Sequence, residues 1–257
     1  MSASSLNVIL LAAGMGQRLS GGDTGFPPKC LLRFDGMSLL QRHLEILGSG
    51  ELISSVTVVV GYQSDRIRNA VAELKPSLDI NFIQNDRFDR GSNLSLWHAL
   101  DVLKRGQSVL FMDADVLYAP ALLSTLIFET DKSVVPYDTG FEPGDEPVKV
   151  CLRDGKAVDF GKIVGQSHET IGEWPGFMRL SPAAARFVAS RLDQQVKAGA
   201  IDTPCEDSFK SMILAAHADE IEFHDVVGIP WIEIDFPEDI KRAQQIIVPR
   251  IEMSAGS

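Results

Sequence analysis

A glycine-rich turn near the amino terminus carries the residue types that hold phosphate groups. Gly14 and Gly16 follow an apolar, strand-sized run, Arg18 comes two residues later, and Lys29 follows after a short loop. Glycines let the backbone come close to a ligand, and a run of free N–H groups in such a turn can cradle phosphate oxygens. The arginine and the lysine are candidate catalytic cations that would neutralise phosphate charge. An ordinary strand followed by a tight glycine bend is the structural alternative.

Two common phosphate-binding motifs do not fit this turn. A P-loop requires Gly-Lys followed by Ser or Thr, and no such tripeptide follows Gly14. A dinucleotide fingerprint requires a third glycine where this chain has Leu19, and an acidic residue after the second strand, where Gly61 and Tyr62 stand. A nicotinamide-dependent oxidoreductase is therefore disfavoured.

A pair of carboxylates ends a predicted buried strand in the middle of the chain. Asp113 and Asp115 lie at i and i+2, so their side chains point to the same side while the chain is extended. Ligands of open α/β sheets bind beyond the carboxyl ends of the strands, so this pair is placed where a substrate-bound Mg²⁺ would lie. Capping of a helix that starts near Ala119 is the alternative role, and it suits Asp113 better than Asp115.

Strands and helices alternate around these residues. Strand-like runs at 7–12, 56–62 and 80–84 are interleaved with helical apolar spacing at 37–47 and 66–74. This rhythm predicts an α/β fold, with a single Rossmann-like, doubly wound and mostly parallel sheet. From Lys132 to Leu180 short β-like runs are broken by Gly and Pro, which predicts an antiparallel excursion over one side of the site.

Composition limits the class of partner. The 257 residues suffice for one sizeable domain, and the net charge of -11 without a visible basic cluster argues against nucleic acid. The apolar runs are too short to span a membrane, and the first residues lack the features of a signal peptide. Three cysteines without a C-x-x-C motif suggest neither a disulfide framework nor a zinc site, so a cytoplasmic location is expected.

The pattern L-A-A-G-x-G-x-R-L at 11–19, followed by P-K-x-L-L at 28–32, closely resembles the signature of nucleotidyltransferases that make nucleotide-activated sugars and phospho-alcohols. The resemblance implies a glycosyltransferase-A-like nucleotidyltransferase domain over 1–257. Its nucleotide-binding half would span about 1–131 and its acceptor-binding and closing half about 132–250, and the tail 251–257 would be disordered from Met253 onward. The nucleotide-binding residues that it implies are Leu11, Ala12, Ala13, Gly14, Gly16, Ser92, Asn93 and Asp113.

Further stretches extend the resemblance. Ser-Asn-Leu-Ser-Leu-Trp at 92–97 resembles the branch that uses CTP and a small phosphorylated alcohol, although Ser92 or Asn93 could equally cap a helix. W-x-E-I-D-x-P-E-D at 231–239 matches the family's closing motif, whose strand-end aspartate, here Asp235, binds the metal together with Asp115. Lys162 resembles the lysine that the family directs at the acceptor's phosphate, and Lys149 is a weaker candidate.

The acceptor is the least defined partner. Glu173, Trp174, Glu206 and Asp207 could form an acidic and aromatic cage for an amine or a quaternary ammonium, although a capping box starting at Thr203 also explains Glu206. The preferred hypothesis is a Mg²⁺-dependent cytidylyltransferase that joins CTP to phosphocholine, with 2-aminoethylphosphonate or inositol phosphate next. A sugar-1-phosphate uridylyl- or thymidylyltransferase and a non-catalytic nucleotide-binding protein are the alternatives. A homo-oligomer is left open.

Overall fold

The computed structural model describes residues 5–23, 25–217 and 219–255. The strands are β1 (Leu6–Ala12), β2 (Arg33–Phe34), β3 (Met37–Ser38), β4 (Ile53–Val60), β5 (Ile80–Gln84), β6 (Ser108–Asp113), β7 (Val116–Tyr118), β8 (Ser133–Tyr137), β9 (Lys149–Arg153), β10 (Lys156–Gly161), β11 (Thr170–Glu173), β12 (Phe177–Leu180), β13 (Ile221–Asp225) and β14 (Trp231–Glu233). The α-helices are α1 (Gln17–Ser20), α2 (Leu39–Gly48), α3 (Ser64–Leu74), α4 (Ser92–His98), α5 (Leu100–Lys104), α6 (Pro120–Ser124), α7 (Pro182–Lys197), α8 (Glu206–Ala215), α9 (Pro237–Arg242) and α10 (Val248–Ala255). A 3₁₀ turn covers Lys29–Leu31, and a π-helical turn covers Ala243–Ile247.

Seven strands form the central sheet, in the order β13-β8-β12-β6-β1-β4-β5. The strands β5, β4, β1 and β6 run parallel to one another, β12 runs antiparallel to both of its neighbours, and β13 is parallel to β8. Six strands therefore share one direction and β12 opposes them. This confirms the predicted single-domain α/β fold with a mostly parallel sheet.

Each face of the sheet is covered by its own apolar layer. Ile9 and Phe111 point into the layer that includes Trp174 and Phe209, whereas Leu10 packs into the layer completed by α2 and α3. Because both faces are buried, the central strands are nearly continuous apolar runs, as parallel sheets require. Removing one fully buried aromatic ring from such a layer typically costs about 3–5 kcal/mol.

The predicted antiparallel excursion is present, but it is smaller than expected. β9, β10 and β11 form a separate antiparallel sheet, whereas β8 and β12 belong to the central sheet. Val134, Val135 and Met178 are completely buried, so these runs serve as interior strands in spite of the glycines and prolines around them.

The carboxyl-terminal helix is longer than the sequence suggested. The prediction placed its end near residue 247 and disorder from Met253 onward, but α10 continues to Ala255, and residues 256 and 257 lie outside the described ranges. Ile247 and Ile251 pack with Ile234 in a third apolar cluster, and this burial extends the helix. No helix within the described parts of the chain is both long and apolar enough to cross a membrane.

Candidate active site

The glycine turn and Lys29 fit together sterically. Gly16 has φ of 61°, a conformation that favours glycine, and it precedes α1. A Cβ at this position would lie 3.0 Å from Cγ of Lys29, so the absent side chain leaves room for the lysine stem. The glycine at position 16 therefore has a geometric role, because its missing side chain lets the aliphatic part of Lys29 pack against the turn.

A small cleft of about 90 Å³ lies over the carboxyl end of β1. It brings together many of the predicted residues, and its lining comprises Leu11, Ala12, Gly14, Gly16, Lys29, Cys30, Ala114 and Asp115. Ala13 was predicted with them but is buried in the core, and its carbonyl oxygen accepts a hydrogen bond from the backbone N–H of Tyr62 at 3.0 Å. Ala13 does not line this cleft, and its contact with the nucleotide stays a prediction.

Lys29 lies between two carboxylates. Its Nζ is 2.9 Å from Oδ2 of Asp115 and 2.5 Å from Oδ1 of Asp235, and the other oxygen of Asp235 accepts from Nη2 of Arg18 at 2.7 Å. Burial by itself would lower the pKa of the Lys29 ammonium, but the charges of Asp115 and Asp235 outweigh it and hold the pKa above its usual value. The lysine is therefore a fixed positive charge.

Three carboxylates converge beside this lysine. Oxygen atoms of Asp115, Glu233 and Asp235 all lie within 4.8 Å of one another. The site is assembled where β14 runs antiparallel to β7, and the backbone N–H of Ile234 donates to the carbonyl of Asp115 at 3.0 Å. An all-oxygen donor set of this kind fits a hard divalent cation such as Mg²⁺.

Glu233 was missed at the sequence level. It lies two residues before Asp235 at the end of an extended segment, so both side chains point to one side. The same i, i+2 spacing that singled out Asp113 and Asp115 could have found it. Part of the Glu233 side chain is open to solvent. Its carboxyl nevertheless loses hydration in the folded protein, and the charges of Asp115 and Asp235 lie close to it. Both effects raise the pKa of Glu233 well above its usual range.

Asp113 lies at the end of β6 without serving as a helix cap. The N-cap of α6 is Ala119 and carries no side-chain cap, so the capping alternative is wrong. Removal of water and the nearby charges of Asp115, Glu233 and Glu206 raise the pKa of Asp113. Gly176, at φ of 79°, passes so close that a Cβ would lie 2.9 Å from Oδ2 of Asp113. The carboxyl thus belongs to the acidic side of the site.

Glu146 forms ion pairs with Arg18 and Lys162, the two predicted catalytic cations other than Lys29. Its Oε2 lies 2.6 Å from Nη1 of Arg18 and 2.9 Å from Nζ of Lys162. The hydrogen bond from Lys162, together with that from Arg18, holds the pKa of the Glu146 carboxyl below its usual value. No motif marked this glutamate, because it lies in the loop between β8 and β9, where the sequence has no periodic pattern.

The structure separates the two candidate acceptor lysines. The Lys149 ammonium is largely buried and donates to the carbonyls of Pro147 and Lys162 at 3.1 and 2.7 Å. It therefore ties two backbone segments together, and its role as an acceptor ligand stays a prediction. The Lys162 ammonium instead contacts Glu146, which also pairs with Arg18.

Two other predicted residues have structural roles. Asn93 is completely buried: its amide nitrogen donates to Gln195, Ala200 and Thr203, and its oxygen accepts from Ser208. Trp174 is buried against Phe111, and its Nε1 donates to the carbonyl of Phe177 at 2.7 Å. The predictions of a nucleotide contact for Asn93 and an acceptor wall for Trp174 are wrong.

The helix-capping alternatives for these segments are also wrong. α4 starts after Gly91 without a side-chain cap, and Ser92 Oγ accepts from the backbone N–H of Cys205 at 2.9 Å. α8 starts after Cys205, also without a side-chain cap, so no capping box begins at Thr203. Ser92 as a nucleotide ligand stays a prediction.

Glu173 faces a second cleft, of about 380 Å³, which adjoins the carboxylates and is also lined by Glu146, Glu233 and Asp235. Trp231 also lines this cleft, and its Nε1 donates to Asp138 at 2.9 Å. Removal of water and the charge of Asp138 raise the pKa of Glu173 to about 7. Glu206 and the exposed Asp207 do not line this cleft, so the four predicted cage residues do not form one enclosure.

Comparison with known proteins agrees with this geometry. Residues 8–157 match the MobA-like NTP transferase domain, and the chain belongs to that family. The chain is 27% identical over 244 residues to a bifunctional IPC transferase and DIPP synthase of Rubrobacter xylanophilus, covering 93% of this chain and 51% of that protein. It is 25% identical over 250 residues to CMP-5'-(3-aminopropyl)phosphonate synthase of Streptomyces rubellomurinus, covering 93% of this chain and 38% of that protein. The chain thus spans about half or less of the length of these relatives.

Solved structures share the fold along nearly the whole chain. The inositol-1-phosphate CTP transferase from T. maritima superimposes with a TM-score of 0.74 at 19% identity, covering 98% of each chain. The CTP:phosphocholine cytidylyltransferase from Streptococcus pneumoniae superimposes with a TM-score of 0.73 at 22% identity, covering 94% of this chain and 99% of that one. At these identities the likeness shows the common fold.

Proposed function

We propose that this chain transfers a CMP group from CTP to a small phosphorylated alcohol, phosphocholine first, and releases pyrophosphate. The observation that carries the proposal is the Lys29 ammonium, held between Asp115 and Asp235 beside the glycine turn. This arrangement sets a buried cation and a carboxylate cluster next to each other, as transfer from a metal-bound nucleoside triphosphate requires. The choice of CTP is supported by the 92–97 segment and by relatives named for CTP or CMP chemistry.

The reaction would be an in-line displacement at the α-phosphorus. An oxygen of the acceptor's phosphate forms a new bond to that phosphorus, and the bond from the α-phosphorus to the bridging oxygen breaks, so that pyrophosphate leaves. A phosphate monoester has a second pKa of about 6, so the nucleophile is already anionic near neutral pH and needs no general base. The protein's task is to position several negative groups and to compensate their charge.

The residues divide this task. Lys29 and Arg18 would neutralise the triphosphate, with the backbone around Gly14 and Gly16 holding its oxygens, and Lys162 would meet the acceptor's phosphate. Asp115, Glu233 and Asp235 would hold Mg²⁺, which would supply charge neutralisation and orientation of the nucleotide. We further propose that residues up to about 131 serve mainly the nucleotide and residues 132–250 mainly the acceptor, with Asp235 returning to the shared metal.

An acceptor with a positive charge is supported by the carboxylates that crowd this side of the site. Asp113, Glu206 and Glu233 act on one another electrostatically, and Glu173 faces the adjoining cleft with Trp231. An ammonium or trimethylammonium group would relieve this charge and could stack on an aromatic face. Inositol phosphate is the second candidate, because the T. maritima neighbour is named for it and because hydroxyls also donate to carboxylates.

Pyrophosphate release tests the proposal. Purified protein with Mg²⁺ would be given each of CTP, UTP, dTTP and ATP with phosphocholine, 2-aminoethylphosphonate, inositol 1-phosphate or glucose 1-phosphate. We expect release with CTP and an amine-bearing acceptor, and little with UTP or glucose 1-phosphate. Release with UTP or dTTP and glucose 1-phosphate alone would replace the proposal with a sugar nucleotidyltransferase. Nucleotide binding without release for any pair would favour a non-catalytic protein.

A further inference from the structure

The carboxylate of Glu146 lies where two cations of the proposed reaction converge. One oxygen, Oε2, contacts both the Arg18 guanidinium and the Lys162 ammonium, at 2.6 and 2.9 Å. Arg18 is the cation assigned to the nucleotide, and Lys162 is the cation assigned to the acceptor. An anionic oxygen that bridges a guanidinium and an ammonium is also the geometry in which a phosphate oxygen binds.

The bridge is one link of a longer row of alternating charges. From Lys162 the ion pairs continue through Glu146 and Arg18 to Asp235 and then to Lys29. The cations that would receive phosphate are thus already paired with carboxylates of the chain itself. A phosphate oxygen that bridges Arg18 and Lys162 in the same way would take the place of Glu146 Oε2.

We propose that Glu146 is an internal substitute for the acceptor's phosphate, which the phosphate displaces when it binds. The identity of the acceptor rests on the proposed function. The exchange of the Glu146 carboxylate for a phosphate depends only on Arg18 and Lys162. A phosphate dianion brings about twice the charge of a carboxylate and three acceptor oxygens, so it competes favourably for the same pair. Glu146 thereby keeps Arg18 and Lys162 oriented and lowers their affinity for weaker anions.

The surroundings allow the side chain to leave without a movement of its loop. The Glu146 side chain is 55% exposed, so it can rotate into solvent. The backbone on either side of the bridge is held by Lys149, which donates to the carbonyls of Pro147 and Lys162. Glu142, in the same loop, makes two hydrogen bonds to Arg242, at 3.1 and 3.0 Å. Rotation of one side chain is therefore enough to open the phosphate position.

The test compares two charge-neutralising variants. Glu146→Gln removes the competing charge, and Glu222→Gln removes an equal charge that pairs with Lys132 on the edge strand β13 and contacts neither Arg18 nor Lys162. Binding of inorganic phosphate and of phosphocholine would be measured by calorimetry at fixed ionic strength, without nucleotide or metal. We expect Glu146→Gln to tighten binding about three- to tenfold, the range set by half-exposed ion pairs, and Glu222→Gln to change it less than twofold.

The outcomes separate this inference from the proposed function. Unchanged or weaker phosphate binding in Glu146→Gln would overturn the inference, and so would equal tightening in both variants, which would reflect net charge alone. Tightening confined to Glu146→Gln supports it even if no acceptor is turned over, because the binding probes require no CTP. Turnover with CTP and phosphocholine alongside unchanged phosphate binding would leave the proposed function in place and remove the role of Glu146.

Discussion

The ammonium of Lys29 lies 2.5 Å from Oδ1 of Asp235, although 206 residues of sequence separate the two. The lysine comes from a 3₁₀ turn near the start of the chain, and the aspartate follows the last strand. The pairing of β14 with β7 brings the closing segment onto the glycine turn. The positive charge is therefore fixed before a ligand arrives, which is how preorganised electrostatic sites avoid reorganisation during reaction.

Replacement of Lys29 should affect turnover far more than folding. Lys29→Met keeps the aliphatic stem that passes Gly16 but removes the charge between Asp115 and Asp235. We expect turnover to fall by about 10²–10³-fold or more and the free energy of unfolding by about 1–3 kcal/mol, measured by pyrophosphate release and urea denaturation. Lys132→Met is the control, because Lys132 forms a partly exposed pair with Glu222 at the far edge of the sheet. Near-normal turnover in Lys29→Met would contradict the assignment of this lysine.

The carboxylate cluster should bind a divalent cation through Glu233 as well as through the two aspartates. Glu233→Gln should weaken Mn²⁺ binding, followed by electron paramagnetic resonance, about 10-fold or more by loss of a charged oxygen ligand. Chelation by EDTA should abolish turnover, and Mg²⁺ should restore it. Glu222→Gln, with the same change of charge on β13, should bind Mn²⁺ like the natural protein. Equal Mn²⁺ affinity in both variants would remove Glu233 from the site.

The raised pKa of Glu173 predicts a pH-dependent contribution to stability. Its pKa rises from 4.5 to about 7 in the folded protein because of burial and Asp138. The folded state therefore holds the proton more tightly, so this stabilisation is complete below pH 4.5 and is lost as the pH rises through about 7. Between pH 4 and pH 8, Glu173→Gln should gain up to about 3 kcal/mol of unfolding free energy relative to the natural protein.

Denaturation by urea at several pH values would measure this difference. Glu222→Gln is again the control, because Lys132 holds the pKa of Glu222 below its usual value, and that variant should gain nothing as the pH rises. A constant difference between Glu173→Gln and the natural protein across this range would contradict the prediction, because it would mean that the pKa of Glu173 is the same in the folded and unfolded states.

Asp159 should position the turn that carries Lys162. Its buried carboxylate accepts from Lys210 Nζ at 2.6 Å and from the backbone N–H groups of Phe160 and Gly165, each at 2.9 Å. A double-mutant cycle with Asp159→Asn and Lys210→Met should give a coupling free energy of about 0.5–3 kcal/mol in urea denaturation. Asp159→Asn should also raise KM for the acceptor more than KM for CTP. Equal changes in both KM values would indicate a purely structural role.

The parts of the site that could be predicted from the sequence are those in which local geometry brings residues together. Asp113 ends β6 and Asp115 lies in the turn that follows, close enough for its charge to act on Asp113. Gly16 and Lys29 meet because a turn with positive φ leaves space for the lysine stem. The i, i+2 spacing of the two aspartates, also looked for at Glu233 and Asp235, would have completed the carboxylate cluster.

The errors come from contacts between distant segments. Trp174 packs into the core next to Phe111 while its neighbour Glu173 faces a cleft, and only the register of β11 against β9 decides which of the two points inward. The Asn93 amide forms its hydrogen bonds with residues more than 100 positions away in the sequence. Glu146, which pairs with Arg18, comes from a loop whose sequence has no periodic pattern. No local pattern contains that information.

The most direct measurement is a ³¹P NMR time course with CTP, phosphocholine and Mg²⁺, in the natural protein and in Lys29→Met. We expect paired diphosphate resonances of a CMP–phosphocholine product to grow together with pyrophosphate, in equal amounts and at the expense of both substrates. The same resonances should be absent with Lys29→Met. Persistence of CTP, or its hydrolysis to CMP while phosphocholine stays unchanged, would contradict cytidylyl transfer to phosphocholine by this site.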